Sequence, residues 1–238
     1  MSDAPDWLSE LAASSLEDVT EVDGERILVT SGSIVACDPL VFLSGADPFA
    51  RTVKPGSYPV AIGKLSEGEN AYAIIRFAER PIVRFEVARC PGEEDAEGWP
   101  GYGVDSGIGC FVDLEAVEHF VREENTVAEQ VSAKVAEEGV EPGDVLSYHA
   151  AFERHRAELV GVDPLASLET SLQKKPATAV RLTRASDANL VAFRSGSGDG
   201  IYASFWGLDA KRRPICLVTD FGLLSPEDED EDEDEDAV

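Results

Sequence analysis

Residues 58–90 alternate between apolar and other side chains with a period of two, and this alternation limits the fold more than any other feature. Segments 58–65 and 71–78 are joined by five residues, and segments 71–78 and 82–90 by only three. Linkers this short join antiparallel neighbours, because a parallel crossover needs a dozen residues or more. The sequence therefore predicts two successive β-hairpins here.

The remaining segments are predicted to form helices at three places and further strands on either side of the helical block. Leu8, Leu11 and Leu16 predict a short N-terminal helix, and residues 25–36 predict a strand followed by a loop over 44–57. Residues 102–112 are apolar and strand-like, with glycine breaks. Asp113 is a suitable N-cap for a helix reaching about residue 124, and residues 125–175 are predicted to be mainly helical. Further strands are predicted at 177–183, 189–194, 201–206 and 214–221.

The predicted fold class is α+β, with a largely antiparallel β-sheet, a helical insertion at about 113–175 and a disordered acidic C-terminal tail. The predicted division is an N-terminal helix and linker at 1–24, a single domain at 25–224 and the tail at 225–238. The order of the segments carries this prediction, because one run of strands precedes the helical block and another run follows it.

The charge of the chain is strongly negative. Forty-seven acids face 20 bases, giving a net charge of −27, and ten of the acids form the run 227–236. Residues 1–226 alone carry 37 acids and 20 bases, or −17. General attraction to phosphate therefore cannot support binding to nucleic acid, and an anionic membrane surface is excluded as a partner on the same ground.

The cysteines and the N-terminus predict a cytoplasmic protein. Cys37, Cys90, Cys110 and Cys216 form no Cys-x-x-Cys motif, have no histidine at metal-binding spacing and lie in or beside apolar segments. We expect buried, inert thiols, with a disulfide or a nucleophile as the alternatives. No apolar stretch reaches 18 residues, and the first residues lack the basic and apolar regions of a signal peptide.

Two arginines are candidate ligand-binding residues. If Glu79-Arg80-Pro81 is a hairpin loop, Arg76 lies directly opposite Arg84, while Phe77 and Val83 share the apolar face. Like charges at opposite positions are unfavourable, so an internal carboxylate or an anionic ligand is expected over the pair.

Two aspartates flanked by glycines are candidate metal ligands. Asp105 lies in Gly-Val-Asp-Ser-Gly (103–107) and Asp199 in Gly-Asp-Gly (198–200). Glycines allow close approach of a ligand, and carboxylates bind Mg²⁺ or Ca²⁺. The alternative is structural, because Asp-Gly is also a frequent hairpin turn. No Gly-x-Ser-x-Gly or His-Glu-x-x-His motif points to a serine or zinc hydrolase.

Several segments together resemble the bacterial family catalogued as domain of unknown function 4241. They are residues 34–40, 55–60, 103–107, 198–202, 206–209 and 217–221, and the resemblance covers roughly 26–224. It implies a domain, without a settled reaction. The positions that it singles out are Asp38, Asp105, Gly107, Asp199, Gly200, Tyr202, Gly207 and Asp220.

Two functions remain open from the sequence. The first is a non-catalytic acidic binding protein, an inhibitor or immunity-type partner of a basic protein. The second is a divalent-metal-dependent hydrolase of a small anionic substrate, with Asp38, Asp105, Asp199 and Asp220 as the metal cluster and Arg76 and Arg84 holding a phosphate or carboxylate. Convergence of these residues in one pocket favours the enzyme, and scatter over the surface favours the binding protein.

Overall fold

A computed structural model describes residues 4–93, 100–141, 143–160 and 163–224 of the chain. Its strands are β1 (Val19–Val29), β2 (Ile34–Cys37), β3 (Gly56–Leu65), β4 (Asn70–Arg76), β5 (Arg84–Val87), β6 (Tyr102–Val104), β7 (Ile108–Asp113), β8 (Ala177–Val180), β9 (Leu190–Arg194), β10 (Gly200–Tyr202), β11 (Ser204–Leu208) and β12 (Pro214–Asp220). Its α-helices are α1 (Trp7–Ala13), α2 (Leu114–Glu137), α3 (Val145–Val160) and α4 (Leu168–Leu172). All pairings between these strands are antiparallel, which confirms the predicted α+β class.

The strands form two larger sheets and one ribbon. One sheet has the order β1-β3-β4-β12-β11-β5, the second has the order β2-β7-β9-β8, and β6 pairs with β10. Side chains alternate along β4: Ala73 and Ile75 face the second sheet, while Tyr72 and Ile74 face the opposite side. Because both faces of β4 are covered, its sequence is almost continuously apolar.

Helices cover the outer face of each sheet. Trp7 and Leu8 of α1 pack on the six-stranded sheet, and Val117 of α2 and Leu168 of α4 pack on the four-stranded sheet. The layers therefore follow the order helix, sheet, sheet, helix. The far half of α2 packs on α3, where Val131, Val135 and Ala151 form a separate small core.

One of the two predicted hairpins is confirmed and the other is wrong. β3 pairs with β4 as predicted, whereas β4 and β5 are separated in the sheet by β12 and β11. Arg76 lies opposite Cys216 and Arg84 opposite Leu208, so the two arginines are not a cross-strand pair.

The segment between β4 and β5 passes over the turn that joins β11 to β12. Phe77 N–H donates to Ile215 O at 2.7 Å, and Val83 N–H donates to Leu208 O at 2.7 Å. Nε of Arg80 lies 3.1 Å from Oδ2 of Asp209 in that turn. These contacts satisfy backbone groups that a local hairpin would have paired with each other.

The predicted strand 25–36 is two strands in the structure. β1 starts earlier, at Val19, which pairs with Leu65, and it ends before a turn at Gly32. Gly32 has φ +86°, and a Cβ there would lie 2.7 Å from Val53 O, so the turn requires glycine. After this turn the chain enters the other sheet as β2.

Two further predicted strands are interrupted. Residues 105–107 separate β6 from β7, and Ala203 separates β10 from β11, so the ribbon leaves the main sheets. The helix predicted from Asp113 to about 124 continues to Glu137, and the Asp113 side chain caps it by accepting from Glu115 N–H.

The predicted tail at 225–238 and residues 94–99 of a predicted surface loop lie outside the described residues. Within the described ranges, none of the helices combines the length and the apolar character needed to cross a bilayer.

Candidate functional site

Asp38 is a fully buried carboxylate that joins two turns. Its Oδ1 accepts from Leu40 N–H at 2.8 Å and from Val41 N–H at 3.3 Å. Its Oδ2 accepts from Asp105 N–H at 3.0 Å and from Ser106 N–H at 2.8 Å. Four amide donors thus occupy the carboxylate, and Asp38 holds the turn after β2 against the turn after β6.

The β6–β10 ribbon brings the two predicted metal ligands to the same end. Val104 pairs with Gly200, so the residues next to them, Asp105 and Asp199, follow at the end of the ladder. Both are exposed. Among the described residues, no group of three or more His, Cys, Asp or Glu side chains is arranged to hold a metal ion. The ribbon end therefore offers two solvent-facing carboxylates.

Tyr202 anchors the turn that carries Asp199. Its hydroxyl donates to Gly198 O at 2.7 Å, and its ring meets Phe221 edge-on at 5.3 Å. Burial raises the pKa of the Tyr202 hydroxyl. The neutral Tyr202 hydroxyl thus donates a hydrogen bond that stabilises the turn next to Asp199.

Exposed apolar side chains surround this ribbon end. Leu40 is 40% exposed, Val41 51%, Phe42 40% and Ile201 62%. Phe42 packs over the space that a Cβ on Gly103 would occupy, 3.3 Å away, and Ile201 is the strand partner of Gly103. These four are half of the eight large apolar side chains exposed in the described residues. We call the set Leu40, Val41, Phe42, Asp105, Asp199 and Ile201 the corner surface.

The other three candidate residues lie elsewhere. Arg76 forms an ion pair with Glu21, with Nη2 and Oε2 2.5 Å apart. Arg84 lies on the edge strand β5 and lines a cavity of about 330 Å³ between β5 and α1. The Asp220 carboxylate accepts from Trp7 Nε1–H at 3.2 Å and from Gly222 N–H at 2.8 Å, and burial raises its pKa. The seven candidates therefore divide among separate places.

The four cysteines are free thiols. Cys37 and Cys110 lie opposite each other on β2 and β7 with their sulfurs 3.7 Å apart, and burial raises the pKa of the Cys110 thiol. Cys216 is buried as well, while Cys90 is partly exposed. A raised pKa lowers the thiolate fraction, so burial reduces the reactivity of Cys110.

The sequence prediction did not include the apolar part of the corner surface. Leu40, Val41 and Phe42 were available as a signal, because three consecutive large apolar residues follow Asp-Pro at the end of a strand. The exposure of these three side chains depends on the turn that the Asp38 carboxylate holds. Asp38 also accepts hydrogen bonds from Asp105 and Ser106, which lie 67 and 68 positions away in the chain, so this turn is not visible in the local sequence.

Two antiparallel sheets packed between helices place the protein in the α+β class. The candidate site at the end of the β6–β10 ribbon is an exposed surface and not a cleft. The family model described as "Protein of unknown function (DUF4241)" matches residues 27–219, and the chain belongs to this family. Comparisons with curated proteins and with solved structures gave no significant match. All members of the corner surface lie within the matched range.

Proposed function

We propose that the protein is a non-catalytic, cytoplasmic binding protein, an inhibitor or immunity-type partner of a basic protein, and that it binds through the corner surface. The observation that carries this proposal is the Asp38 carboxylate, which fixes the apolar turn 40–42 against the turn of Asp105. Apolar side chains flanked by polar ones are typical of protein interfaces, and the flanking groups here are acidic.

The charge of the whole chain supports a basic partner. A net charge of −27 attracts a positively charged protein and raises the rate of encounter, while the corner surface supplies the apolar contact. Asp105 and Asp199 are exposed beside the apolar side chains, where lysine or arginine of a partner could pair with them.

The hydrolase alternative has less support from the geometry. It requires Asp38 and Asp220 as metal ligands, yet both carboxylates accept hydrogen bonds from N–H groups of the protein. It also requires Arg76 and Arg84 at the substrate, and these two side chains lie on strands separated by β12 and β11.

A peptide-display selection on the immobilised full chain tests the proposal. We expect enrichment of peptides that combine an apolar residue with lysine or arginine. The affinity of the best peptide, measured by fluorescence anisotropy, should fall about tenfold or more in Ile201→Ser and in Asp199→Lys, because one removes apolar contact and the other reverses a charge.

The matched control for the apolar variant is Val145→Ser, since Val145 is also highly exposed but lies on α3. Glu129→Lys, an exposed acid on α2, is the control for charge reversal. Equal affinity in all variants, loss of affinity only in the two controls, or no enrichment of basic peptides would contradict the proposal.

A further inference from the structure

A cavity of about 240 Å³ lies between the β3–β4 turn, the end of α4 and the end of β9. Three cationic side chains line it: Lys64 on β3, Lys175 after α4 and Arg194 on β9. Glu69 is the acidic residue in the lining. In a chain with 20 bases and 47 acids, this local excess of positive charge is unusual.

Two of the cations have partners that leave donors available. Nζ of Lys64 donates to Gly68 O at 2.9 Å, and Nζ of Lys175 lies 3.1 Å from Oε1 of Glu25. An ammonium group has three donors, so each lysine can bond a further acceptor.

Arg194 is the cation with the most unused capacity. Within the described part of the chain its guanidinium forms no ion pair and no hydrogen bond. Its backbone is fixed, because its carbonyl accepts from Nδ2 of the buried Asn70 at 2.8 Å. A guanidinium offers five donors in a planar fork that matches phosphate oxygens.

We infer that this cavity binds a small phosphate-bearing anion, with Arg194, Lys64 and Lys175 as its cationic ligands. The volume is below the range of about 300–1,000 Å³ that is usual for drug-sized ligands, and it fits inorganic phosphate or a small phosphate monoester. Charge-assisted hydrogen bonds from three side chains would offset the repulsion among them. The cavity lining shares no residue with the corner surface, and the inference does not depend on the proposed function.

Isothermal titration calorimetry of the full chain at constant ionic strength tests the inference, with inorganic phosphate and glycerol 3-phosphate as probes. We expect millimolar or tighter binding that weakens about tenfold or more in Arg194→Gln and in Lys175→Gln. Glu25→Gln should tighten binding, because it releases Lys175 and removes a nearby negative charge. The relative affinity of the two probes distinguishes free phosphate from a phosphate ester as the ligand.

Lys174→Gln is the matched control, because Lys174 is exposed, adjacent in sequence and not part of the cavity lining. Its affinity should equal that of the parent chain. Absence of heat with both probes, equal affinity in all variants, or malonate binding as tightly as phosphate would overturn the inference.

Discussion

A few buried carboxylates, among many exposed ones, hold the turns of this protein. Asp113, for example, accepts from the backbone N–H of Thr30 at 3.0 Å, of Ser31 at 3.1 Å and of Glu115 at 2.9 Å. Asp38 has four amide donors of the same kind. A carboxylate has about four acceptor sites, so one side chain can satisfy several backbone donors that a turn leaves unpaired.

Asp38→Asn should therefore lower the free energy of unfolding by about 2–4 kcal/mol. The asparagine amide group presents a donor where the aspartate accepts, and it leaves at least one buried N–H without a partner. Urea denaturation of parent and variant measures the difference.

Asp105→Asn and Asp199→Asn are the controls, since both side chains are exposed, and we expect changes within about 0.5 kcal/mol. An unchanged stability of Asp38→Asn would show that its four hydrogen bonds contribute nothing. The same samples report on the hydrolase alternative: stabilisation of the parent chain by Mg²⁺ or Ca²⁺ that either control abolishes would favour it.

Among the elements, the β11–β12 turn contains a buried carboxylate, Asp209, that forms ion pairs with two arginines. Oδ1 of Asp209 accepts from the N–H groups of Lys211 and Arg213, both at 2.9 Å, and Oδ2 lies 2.7 Å from Nη2 of Arg213. Arg80, in the segment between β4 and β5, forms an ion pair with the same carboxylate. The hydrogen bonds from Arg213, backbone first and side chain second, lower the pKa of Asp209 to about 2.

A lowered pKa in the folded state makes the contribution of Asp209 dependent on pH. The contribution is complete above the unfolded pKa of about 3.9 and is lost as the pH falls through the folded value of about 2. The difference in unfolding free energy between the parent chain and Asp209→Asn should be largest near pH 6 and should narrow between about pH 4 and pH 2.

Denaturant unfolding at several pH values measures this difference, and the contributions of the other carboxylates cancel in it. The control is Glu79→Gln, which changes an exposed acid in the segment between β4 and β5. The difference in unfolding free energy between the parent chain and this variant should stay constant over the same pH range. The prediction would be contradicted if the difference in unfolding free energy between the parent chain and Asp209→Asn stayed constant or increased as the pH falls.

Much of the secondary structure was predictable, because short apolar segments bounded by turn residues identify β3, β4, β9 and β12 locally. Strand partners were not. The three residues between the predicted segments 71–78 and 82–90 satisfied the rule for a hairpin, and nothing local shows that two strands from the end of the chain separate them. The first half of β1 was missed because residues 19–23 include three polar side chains at an outer edge strand.

The candidate site was predictable only in part. The Asp-Gly pair at 199–200 correctly indicated a turn, whereas Asp105 was placed within a predicted strand and lies in the turn between β6 and β7. The β6–β10 register brings the two turns together. Asp38, Tyr202 and Asp220 stood out only by family resemblance. Asp38 and Asp220 each combine local hydrogen-bond partners with partners in distant parts of the chain, namely Asp105 and Ser106 for Asp38 and Trp7 for Asp220.

Over the whole molecule, the negative charge is unevenly distributed. Residues 113–163, which contain α2 and α3, carry 13 acids and four bases, and the run 227–236 adds ten acids within ten residues. Three of the four bases in 113–163 form ion pairs inside that segment, namely Lys134, Arg154 and Arg156. Much of its negative charge therefore stays available for long-range attraction or repulsion.

Truncation after Ser225 should leave the melting temperature unchanged, or raise it slightly at low salt. Removing the ten acids changes the net charge from −27 to −17 and reduces repulsion within the protein. The increase should disappear at high salt, where charges are screened. Differential scanning fluorimetry at two salt concentrations measures both effects.

A variant with the ten acids replaced by alternating serine and glycine separates charge from chain length, and it should behave like the truncation. A clear decrease in melting temperature after truncation would show that the tail stabilises the body.

The position of β11 and β12 between β4 and β5 has a consequence for synthesis on the ribosome. A nascent chain that has emerged as far as residue 200 contains both neighbours of these strands but neither β11 nor β12. The facing edges of β4 and β5 then have no strands to pair with, and exposed edges of this kind are sites of aggregation. The six-stranded sheet can form completely only after β12 has left the exit tunnel, so β4 and β5 must wait for partner strands that are synthesised much later.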